Sequence, residues 1–183
     1  GSRVVVLGLN GAGKTTLLRV LGGVEQPDAG TVLAGHGLRL GYYAQEHETL
    51  DAGASVFDNL RRAAPASFTD VELRRILGAF LFSGESAGQR AGTLSGGEKT
   101  RLALATLVVS SANVLLLDEP TNNLDPASRA EVLRALASYR GAIVLVTHDP
   151  GAVEALAPER VLLMPDGVED LWSEELGDLV ALA

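Results

Sequence analysis

One short stretch near the start of the chain limits its fold more than any other. The apolar run Val4–Leu7 leads directly into Gly8-Leu9-Asn10-Gly11-Ala12-Gly13-Lys14-Thr15. This stretch fits the pattern G-x-x-x-x-G-K-[ST], which joins a buried strand to a helix and binds phosphate. Leu17, Leu18 and Leu21 then follow at helical spacing, so both of the structural contexts that the pattern requires are present. The sequence therefore predicts a strand, a phosphate-binding loop and a helix.

Each residue type in this loop has a chemical reason to be there. Glycines let the backbone wrap closely around an anion, in conformations that a Cβ would hinder. The amides of Asn10 to Thr15 are expected to converge on a β-phosphate beside the positive end of the helix. Lys14 adds a mobile charge for the β/γ oxygens, and the Thr15 hydroxyl can ligate Mg²⁺. The predicted nucleotide-binding residues of the loop are Gly8, Leu9, Asn10, Gly11, Ala12, Gly13, Lys14, Thr15 and Thr16.

Composition and charge restrict the class of protein. The chain has 183 residues, 46% of them hydrophobic, and no apolar run approaches the ~20 residues of a membrane span. The start reads Gly-Ser-Arg and then a strand, so we expect no signal peptide, no membrane insertion and a cytoplasmic protein. The absence of cysteine excludes disulfides, thiol catalysis and thiolate metal sites. A net charge of −8 argues against a broad nucleic-acid-binding face on this segment.

Apolar strand patterns alternate with helical patterns along most of the chain. Predicted strands cover 31–33, 38–43, 113–117, 142–146 and 161–164, in addition to the first, and the stretch from 171 looks like a strand end. Predicted helices cover 13–21, 55–64, 71–80, 97–109, 126–139 and 151–156, with a short helix near the end. Such alternation predicts an α/β domain with a mainly parallel sheet flanked by helices. We interpret 1–183 as a single domain, with an α/β core over 1–49 and 93–183 and an inserted helical subdomain over 50–92.

Further polar residues follow the buried strands, at the sheet edge where α/β proteins bind ligands. Asp118 and Glu119 come directly after Leu115-Leu116-Leu117, and His148 follows the strand over 142–146. Asp118 is the expected Mg²⁺ ligand, and Glu119 is placed to orient or deprotonate an attacking water. His148 could reach the γ-phosphate and hold the water and Glu119 in line. Gln45 ends a strand, and its amide could ligate Mg²⁺ together with Thr15 and Asp118.

A second helix start in the chain also has the features of an anion site. Ser95 and Glu98 form a capping box, and Gly96-Gly97 leaves amides of the first turn uncovered. One nucleotide in one domain does not need two such sites. The economical explanation is that Ser95, Gly96, Gly97 and Glu98 grip a nucleotide that a partner domain holds. The alternative is a capped helix start with no ligand.

Together these motifs resemble those of the ATP-binding cassette (ABC) ATPases, a group of P-loop NTPases. Five marks occur in order: the phosphate loop, Gln45, the signature Leu94–Glu98, Leu115–Glu119 and His148. The resemblance implies Mg-dependent ATP hydrolysis in a head-to-tail sandwich of two cassettes. In that arrangement Lys14, Glu119 and His148 act on one nucleotide, while the signature serves the other. ABC ATPases also have a loop that contains an aspartate, and Asn123–Asp125 matches it. The resemblance implies that Asp125 lies near the interface between the two cassettes.

Finer features resemble the second cassette of the F subclass (ABC-F), which consists of soluble tandem cassettes that act on ribosomes. They are Gly41–Glu46, Gly97–Arg101, Glu119–Asp125 and the closing stretch with Trp172. A complete cassette has roughly thirty more residues before the phosphate loop, including an aromatic that stacks on adenine. We therefore expect that the strands on the adenine side are absent and that the sequence is truncated at its N-terminus.

Three functions remain open on the sequence. The first is an ATP-switched factor that binds ribosomes through a longer parent chain. The second is the motor subunit of a membrane transporter, which would dock a membrane partner through the helical segment. The third is a nucleotide-binding interaction module without catalysis.

Overall fold

A computed structural model describes residues 1–43 and 50–180. The predicted site residue Gln45 lies outside the described residues. The chain forms two compact units, each built from separate segments of sequence. The first unit comprises 1–43, 112–119 and 140–180, and the second comprises 50–111 and 120–139.

Short strands and helices alternate through the described residues. The strands are β1 (Arg3–Leu7), β2 (Leu40–Tyr43), β3 (Val114–Asp118), β4 (Ala142–Val146), β5 (Arg160–Leu163) and β6 (Val168–Leu171). The helices are α1 (Lys14–Leu21), α2 (Val56–Ala63), α3 (Asp70–Ala79), α4 (Gly96–Val109), α5 (Pro126–Ala137), α6 (Pro150–Leu156) and α7 (Gly177–Val180). Single turns of 3₁₀ helix occupy Gly84–Gly88, Ala91–Thr93 and Glu174–Leu176.

All six strands belong to one sheet in the first unit. Their order across the sheet is β2-β3-β4-β1-β5-β6. Every neighbouring pair is parallel except the last, in which β6 runs antiparallel to β5. Because β1, β3 and β4 are adjacent and parallel, the loops that follow their carboxyl ends meet at one edge.

Both faces of the sheet are covered, as the continuous apolar strands require. Successive side chains of a strand point to opposite faces. On one face Val5 of β1 packs in a core cluster with Val153 of α6 and Val161 of β5. On the other face Val6 packs with Leu18 of α1 in a second cluster. The first unit is therefore a sheet between helices, which confirms the predicted fold class.

The second unit is helical. Within it α2 packs against α3 and α4, and α4 packs against α5. Each of its helices α2 to α5 begins at a polar side chain that accepts backbone N–H bonds: Ser55 at α2, Thr69 at α3, Ser95 at α4 and Asp125 at α5. The helical subdomain that the sequence predicts, over 50–92, is shorter than this unit, because α4 and α5 also pack with the preceding helices.

One predicted strand is wrong. Residues 31–35 have no strand structure, and Val32 and Leu33 are largely exposed. A β-branched run becomes a strand only where a partner strand offers its hydrogen bonds, and these residues pair with none of the six strands. The last strand is a second difference, since the sequence indicated only a strand end near 171, whereas β6 covers four residues.

Candidate functional site

The backbone of the phosphate loop has the conformation that its glycines allow. Gly11 and Gly13 have φ angles of 84° and 89°, in the left-handed region that favours glycine. Gly13 is the N-cap of α1, and no side chain caps that helix start. The first amides of α1 are therefore available to an anion, where the helix dipole favours negative charge. A Cβ on Gly8 would come within 2.6 Å of the Met164 carbonyl oxygen, so this position also needs glycine.

Lys14 lies along the loop that precedes it. Its side chain is buried, and Nζ donates to the carbonyl oxygens of Gly8, at 2.5 Å, and of Leu9, at 3.3 Å. A lysine ammonium is a compact group with three hydrogen-bond donors on a flexible stem. The lysine side chain is therefore held against the loop that precedes its helix.

Thr15 and Asp118 are brought together from α1 and β3. The Thr15 side chain donates a hydrogen bond to the Asp118 carboxylate. Burial raises the pKa of Asp118, while this hydrogen bond and the charge of Lys14 act in the opposite direction. A buried carboxylate beside a hydroxyl is an oxygen donor set of the kind that Mg²⁺ prefers. Among residues 1–43 and 50–180, no group of three or more His, Asp and Glu side chains could hold a metal ion by itself.

Glu119 contacts His148 across the ends of β3 and β4. The Glu119 Oε1 atom lies 2.9 Å from His148 Nδ1, so the two side chains share a hydrogen bond. The Glu119 backbone is left-handed, with φ of 49°, and its N–H donates to the Val146 carbonyl at 2.9 Å. Such conformations are costly for residues other than glycine and are concentrated at functional sites.

The second carboxylate oxygen of Glu119 has a different environment. Glu119 Oε2 is buried and has no hydrogen-bond partner among the described residues. A buried acceptor without a protein partner can take a hydrogen bond from a bound water molecule or ligand. Glu119 Oε1 therefore fixes the side chain by binding His148, and Oε2 can accept a hydrogen bond from a bound water molecule or ligand.

The loop residues and these carboxylates enclose one cavity in the first unit. Its volume is about 290 Å³. The wall is made of Asn10, Gly11, Ala12, Gly13, Lys14, Thr15, Thr16, Asp118, Glu119 and Val146. Loop amides and a lysine thus face two carboxylates across a space that can accept phosphate groups and a divalent cation.

The signature residues lie at the start of α4 in the second unit. The Ser95 hydroxyl accepts the Glu98 N–H at 3.3 Å, and Glu98 Oε2 accepts the Ser95 N–H at 2.8 Å. This is the predicted capping box, and it accounts for the lowered pKa of Glu98, since the bond from the Ser95 backbone favours the carboxylate. Ser95 and Gly96 are exposed. The second unit therefore leaves both residues accessible to a ligand from outside this unit.

The two signature glycines differ in their surroundings. A Cβ on Gly96 would meet no atom within 4 Å. A Cβ on Gly97 would lie 3.1 Å from the Asn123 carbonyl oxygen, a tight contact with the loop before α5. Packing inside this chain therefore gives a reason for glycine at 97 but none at 96.

Asp125 has a local structural role. Its carboxylate accepts the N–H groups of Ala127 and Ser128, each at 3.1 Å, and thereby caps α5. The hydrogen bonds from Ser128 lower the pKa of Asp125. Asp125 is exposed, so the cap does not remove it from the surface.

Other polar residues in these segments were not predicted from the sequence. Arg101 of α4 donates to the Phe80 and Leu81 carbonyls at 3.1 and 3.3 Å, and its guanidinium lies over the Phe82 ring. Its side chain is mostly buried, and it approaches Glu98 at 3.9 Å. Helical spacing could have placed Arg101 near Glu98, but no sequence signal identifies the carbonyls that it binds.

Thr147 and Asp149, the residues on either side of His148, also make hydrogen bonds that the sequence did not predict. Thr147 Oγ1 accepts the Asp149 N–H at 3.1 Å, and Asp149 Oδ1 accepts the Gly151 N–H at 3.0 Å. Asp149 followed by Pro150 is a recognisable helix start. The burial of Thr147, which is 0% exposed, has no counterpart in the sequence pattern.

Comparison with known proteins identifies the family. The profile of the family described as ABC transporter matches residues 1–122, two thirds of the chain. Among curated proteins, the "Probable ATP-binding protein YheS" of Haemophilus influenzae is 42% identical over 93% of this chain. The "Probable ATP-binding protein YbiT" of Escherichia coli O157:H7 is 40% identical over 93% of it, and protein GCN20 of Saccharomyces cerevisiae is 36% identical over 86%.

These relatives are much longer than the chain. It spans 27% of YheS, 32% of YbiT and 21% of GCN20. YheS and YbiT are described as ATP-binding proteins, which agrees with the predicted ATP-binding cassette.

Solved structures give the same fold. A metal-chelate type ABC transporter in an inward-facing conformation has a TM-score of 0.70, with 27% identity, over 95% of this chain and 72% of its own. The ATP-binding cassette MJ0796, a dimer with ADP and Pi, has a TM-score of 0.72 with 21% identity, over 93% of this chain and 85% of its own. In the part of the chain that the structure describes, no helix combines the length and apolar content needed to span a membrane. By sequence and fold, the chain belongs to the ABC family, and its sequence is that of an ATP-binding ABC ATPase domain.

Proposed function

We propose that this chain is one cassette of a longer ABC-F protein, and that it hydrolyses ATP when a second cassette closes on it head to tail. The observation that carries the proposal is the cavity of the first unit. It combines uncapped amides of α1, the buried Lys14, the Thr15–Asp118 pair and the Glu119–His148 pair. Phosphoryl transfer needs mainly positioning and charge stabilisation, and this set of groups supplies both.

Different residues of the cavity bind the phosphate groups and the Mg²⁺ ion. The loop amides and Lys14 bind the β- and γ-phosphate oxygens, because they are the hydrogen-bond donors along one wall of the cavity. Thr15 and Asp118 are the protein ligands for Mg²⁺, and Gln45 is a third candidate that lies outside the described residues. When bound there, Mg²⁺ would supply positive charge that offsets the negative charge of the phosphate groups. Two protein ligands suffice because Mg²⁺ in nucleotide sites keeps waters and phosphate oxygens as its other ligands.

Glu119 and His148 are the proposed catalytic pair. Glu119 uses Oε1 to bind His148, which leaves the buried Oε2 to orient or deprotonate the attacking water. The exposed ring of His148 can present its Nε2 to the γ-phosphate. The left-handed backbone of Glu119, held by the Val146 carbonyl, directs its side chain into the cavity wall.

The second unit contributes to a different nucleotide. Ser95 and Gly96 are exposed at the start of α4, and nothing in this unit requires glycine at 96. An anion approaching this helix start would meet first-turn amides and the dipole of a helix of fourteen residues. We infer that the partner cassette brings its γ-phosphate there, and that Asp125 lies close to the same interface.

The biological role that we propose is an ATP-switched action on the ribosome, within the cytoplasm. The support is the similarity to YheS, YbiT and GCN20 and the resemblance of the motifs to the ABC-F subclass. A net charge of −8 makes this cassette a poor rRNA-binding surface, so other parts of the longer chain would make that contact.

The experiment combines ATP turnover with ribosome pelleting of the full-length protein. We expect that wild-type protein hydrolyses ATP and that the Glu119→Gln variant pellets with ribosomes only when ATP is present. If the Glu119→Gln variant loses ATP turnover but does not pellet with ribosomes in the presence of ATP, the result would support the ATPase activity and contradict the ribosomal role. Full turnover by the Lys14→Ala variant would contradict the proposed ATP site itself.

The motor of a membrane transporter is the second candidate, because a solved relative of similar fold is an ABC transporter. Co-purification of a membrane protein with the full-length chain would favour it. Two cassettes fused in one chain without such a partner would exclude it.

A further inference from the structure

The short segment between β4 and α6 contacts Glu119 in two ways. The Val146 carbonyl binds the Glu119 N–H at 2.9 Å, and the ring of His148 binds its carboxylate at 2.9 Å. Residues 146–148 therefore determine both where the backbone of Glu119 lies and where its side chain points.

The ring of His148 is poorly held by packing. Its side chain is 55% exposed, so solvent covers most of it, and Glu119 is the residue to which the structure binds it. An exposed side chain normally samples several rotamers. The direction of this ring is therefore set largely by the backbone on either side of His148.

That backbone is fixed by two buried polar residues. Thr147 is 0% exposed and Asp149 is 8% exposed. The Thr147 hydroxyl accepts the Asp149 N–H, which closes a ring of hydrogen-bonded atoms around the backbone of His148. Asp149 in turn accepts the Gly151 N–H and ties the segment to the first turn of α6.

We propose that Thr147 and Asp149 are positioning residues for ATP hydrolysis, which act by holding the backbone of His148 so that its ring meets Glu119. This inference rests on the proposed function, because it needs the Glu119–His148 pair to act in catalysis. Asp149 caps α6, but a cap alone would not make Thr147 or Asp149 affect the rate of ATP hydrolysis. A misplacement of about 1 Å in a catalytic group can cost about a hundredfold in rate, so a loosened segment should be measurable.

The first test compares Thr147→Val with Thr147→Ser in the full-length protein. Valine keeps the shape of threonine but removes the acceptor for the Asp149 N–H, whereas serine keeps it. The matched control is Thr106→Val, which removes another threonine hydrogen bond, to the Ala103 carbonyl at 2.7 Å in α4. We expect Thr147→Val to lower kcat about tenfold with KM for ATP unchanged. Thr147→Ser should restore kcat, and Thr106→Val should leave it at the wild-type value.

A double-mutant cycle separates positioning from a general loss of stability. If Thr147 acts through His148, the Thr147→Val change should have no further effect on kcat in a His148→Ala background. A merely structural role would lower the unfolding temperature equally in both backgrounds and would not interact with His148 in kcat. Asp149→Ala should behave like Thr147→Val, with Ser55→Ala as its control, since that change removes the cap of α2.

The outcomes distinguish this inference from the proposed function. Retention of wild-type kcat by Thr147→Val, or an equal fall in kcat with and without His148, would overturn the inference, even where His148→Ala by itself lowers kcat. Wild-type turnover in both His148→Ala and Glu119→Gln would overturn the proposed function, and the positioning role with it.

Discussion

The Thr15 hydroxyl is hydrogen-bonded to the Asp118 carboxylate, which joins the phosphate loop to the end of strand β3. The bond brings together the two motifs that the sequence separates by about a hundred residues. In the absence of a cation, it leaves a buried carboxylate whose charge is only partly compensated. The buried charge of Asp118 should therefore affect both the stability of the protein and its ability to bind Mg²⁺.

The stability of the metal-free protein should fall as pH rises above the ordinary pKa of aspartate. Burial raises the pKa of Asp118 above the ordinary value for aspartate, so the folded state binds the proton of this carboxyl group more tightly than the unfolded state. The stabilising effect of the protonated form is complete below that value and is lost as pH rises through the higher folded pKa. Thermal unfolding between about pH 4 and about pH 8 measures this, with EDTA present.

The Asp118→Asn variant tests the same point. Asparagine removes the buried charge, so its unfolding temperature at neutral pH should exceed that of the metal-free wild type. Its ATP turnover should be lost, because the proposed Mg²⁺ ligand is gone. A variant that is less stable than wild type across the whole pH range would contradict the assignment of Asp118 as a costly buried charge.

Replacing Lys14 should weaken nucleotide binding. Because the Lys14 ammonium is buried beside the loop, Lys14→Ala removes a charge-assisted hydrogen bond and should raise Kd for ATP about 30-fold, or about 2 kcal/mol. Calorimetric titration of the full-length protein measures the change. The control is Arg75→Ala, which removes an exposed positive charge from α3. Equal affinities of the two variants would show that Lys14 does not bind phosphate.

Replacing Glu119 should separate binding from turnover. Glutamine keeps the size of the side chain and can still bind His148, but it cannot accept a proton from water. We therefore expect Glu119→Gln to bind ATP as tightly as wild type and to lose turnover by at least about a hundredfold. Glu154→Gln, an exposed change in α6, is the matched control. If Glu119→Gln binds ATP as poorly as Lys14→Ala, our division of roles is wrong.

Gly96→Ala should leave the fold intact and abolish ATP turnover. A Cβ at 96 meets no atom of the described residues within 4 Å, and alanine favours helix over glycine, so the unfolding temperature should stay the same or rise. The new methyl group would instead stand in front of the amides that the partner nucleotide needs. Gly78→Ala in α3 is a matched control, because a Cβ there also meets no atom within 4 Å. Wild-type turnover by Gly96→Ala would show that this helix start receives no phosphate.

The cap that Asp125 provides can be separated from its proposed place near the interface. Asparagine can still accept the N–H groups of Ala127 and Ser128, whereas alanine cannot. Asp125→Asn should therefore keep the wild-type unfolding temperature and Asp125→Ala should lower it by a few degrees. If Asp125 also acts at the interface, Asp125→Asn should lower ATP turnover despite its stability.

Much of the fold and of the site could be predicted because each signal was local. The motif Gly8–Thr15 specifies its own strand, turn and helix, and the capping box of Ser95 and Glu98 is contained in four residues. The pairing of Glu119 with His148 followed from a general rule, that the carboxyl ends of parallel strands meet at one sheet edge.

What failed depended on partners that the sequence does not identify. Residues 31–33 have strand-forming side chains but no neighbouring strand, and β6 forms only because β5 accepts it. The buried Thr147 and the carbonyls bound by Arg101 are likewise set by tertiary contacts. Polar residues in such positions carry no periodicity, so pattern analysis passes over them.

The most direct measurement is a structure of the full-length Glu119→Gln protein with MgATP. Our account predicts that Ser95 and the Gly96 amide lie within about 3.5 Å of the γ-phosphate of a nucleotide held by the phosphate loop of another cassette. It also predicts that the nucleotide held by residues 8–16 meets the signature of that other cassette. ATP bound to this loop with its γ-phosphate facing solvent, and Ser95 far from any nucleotide, would contradict the account.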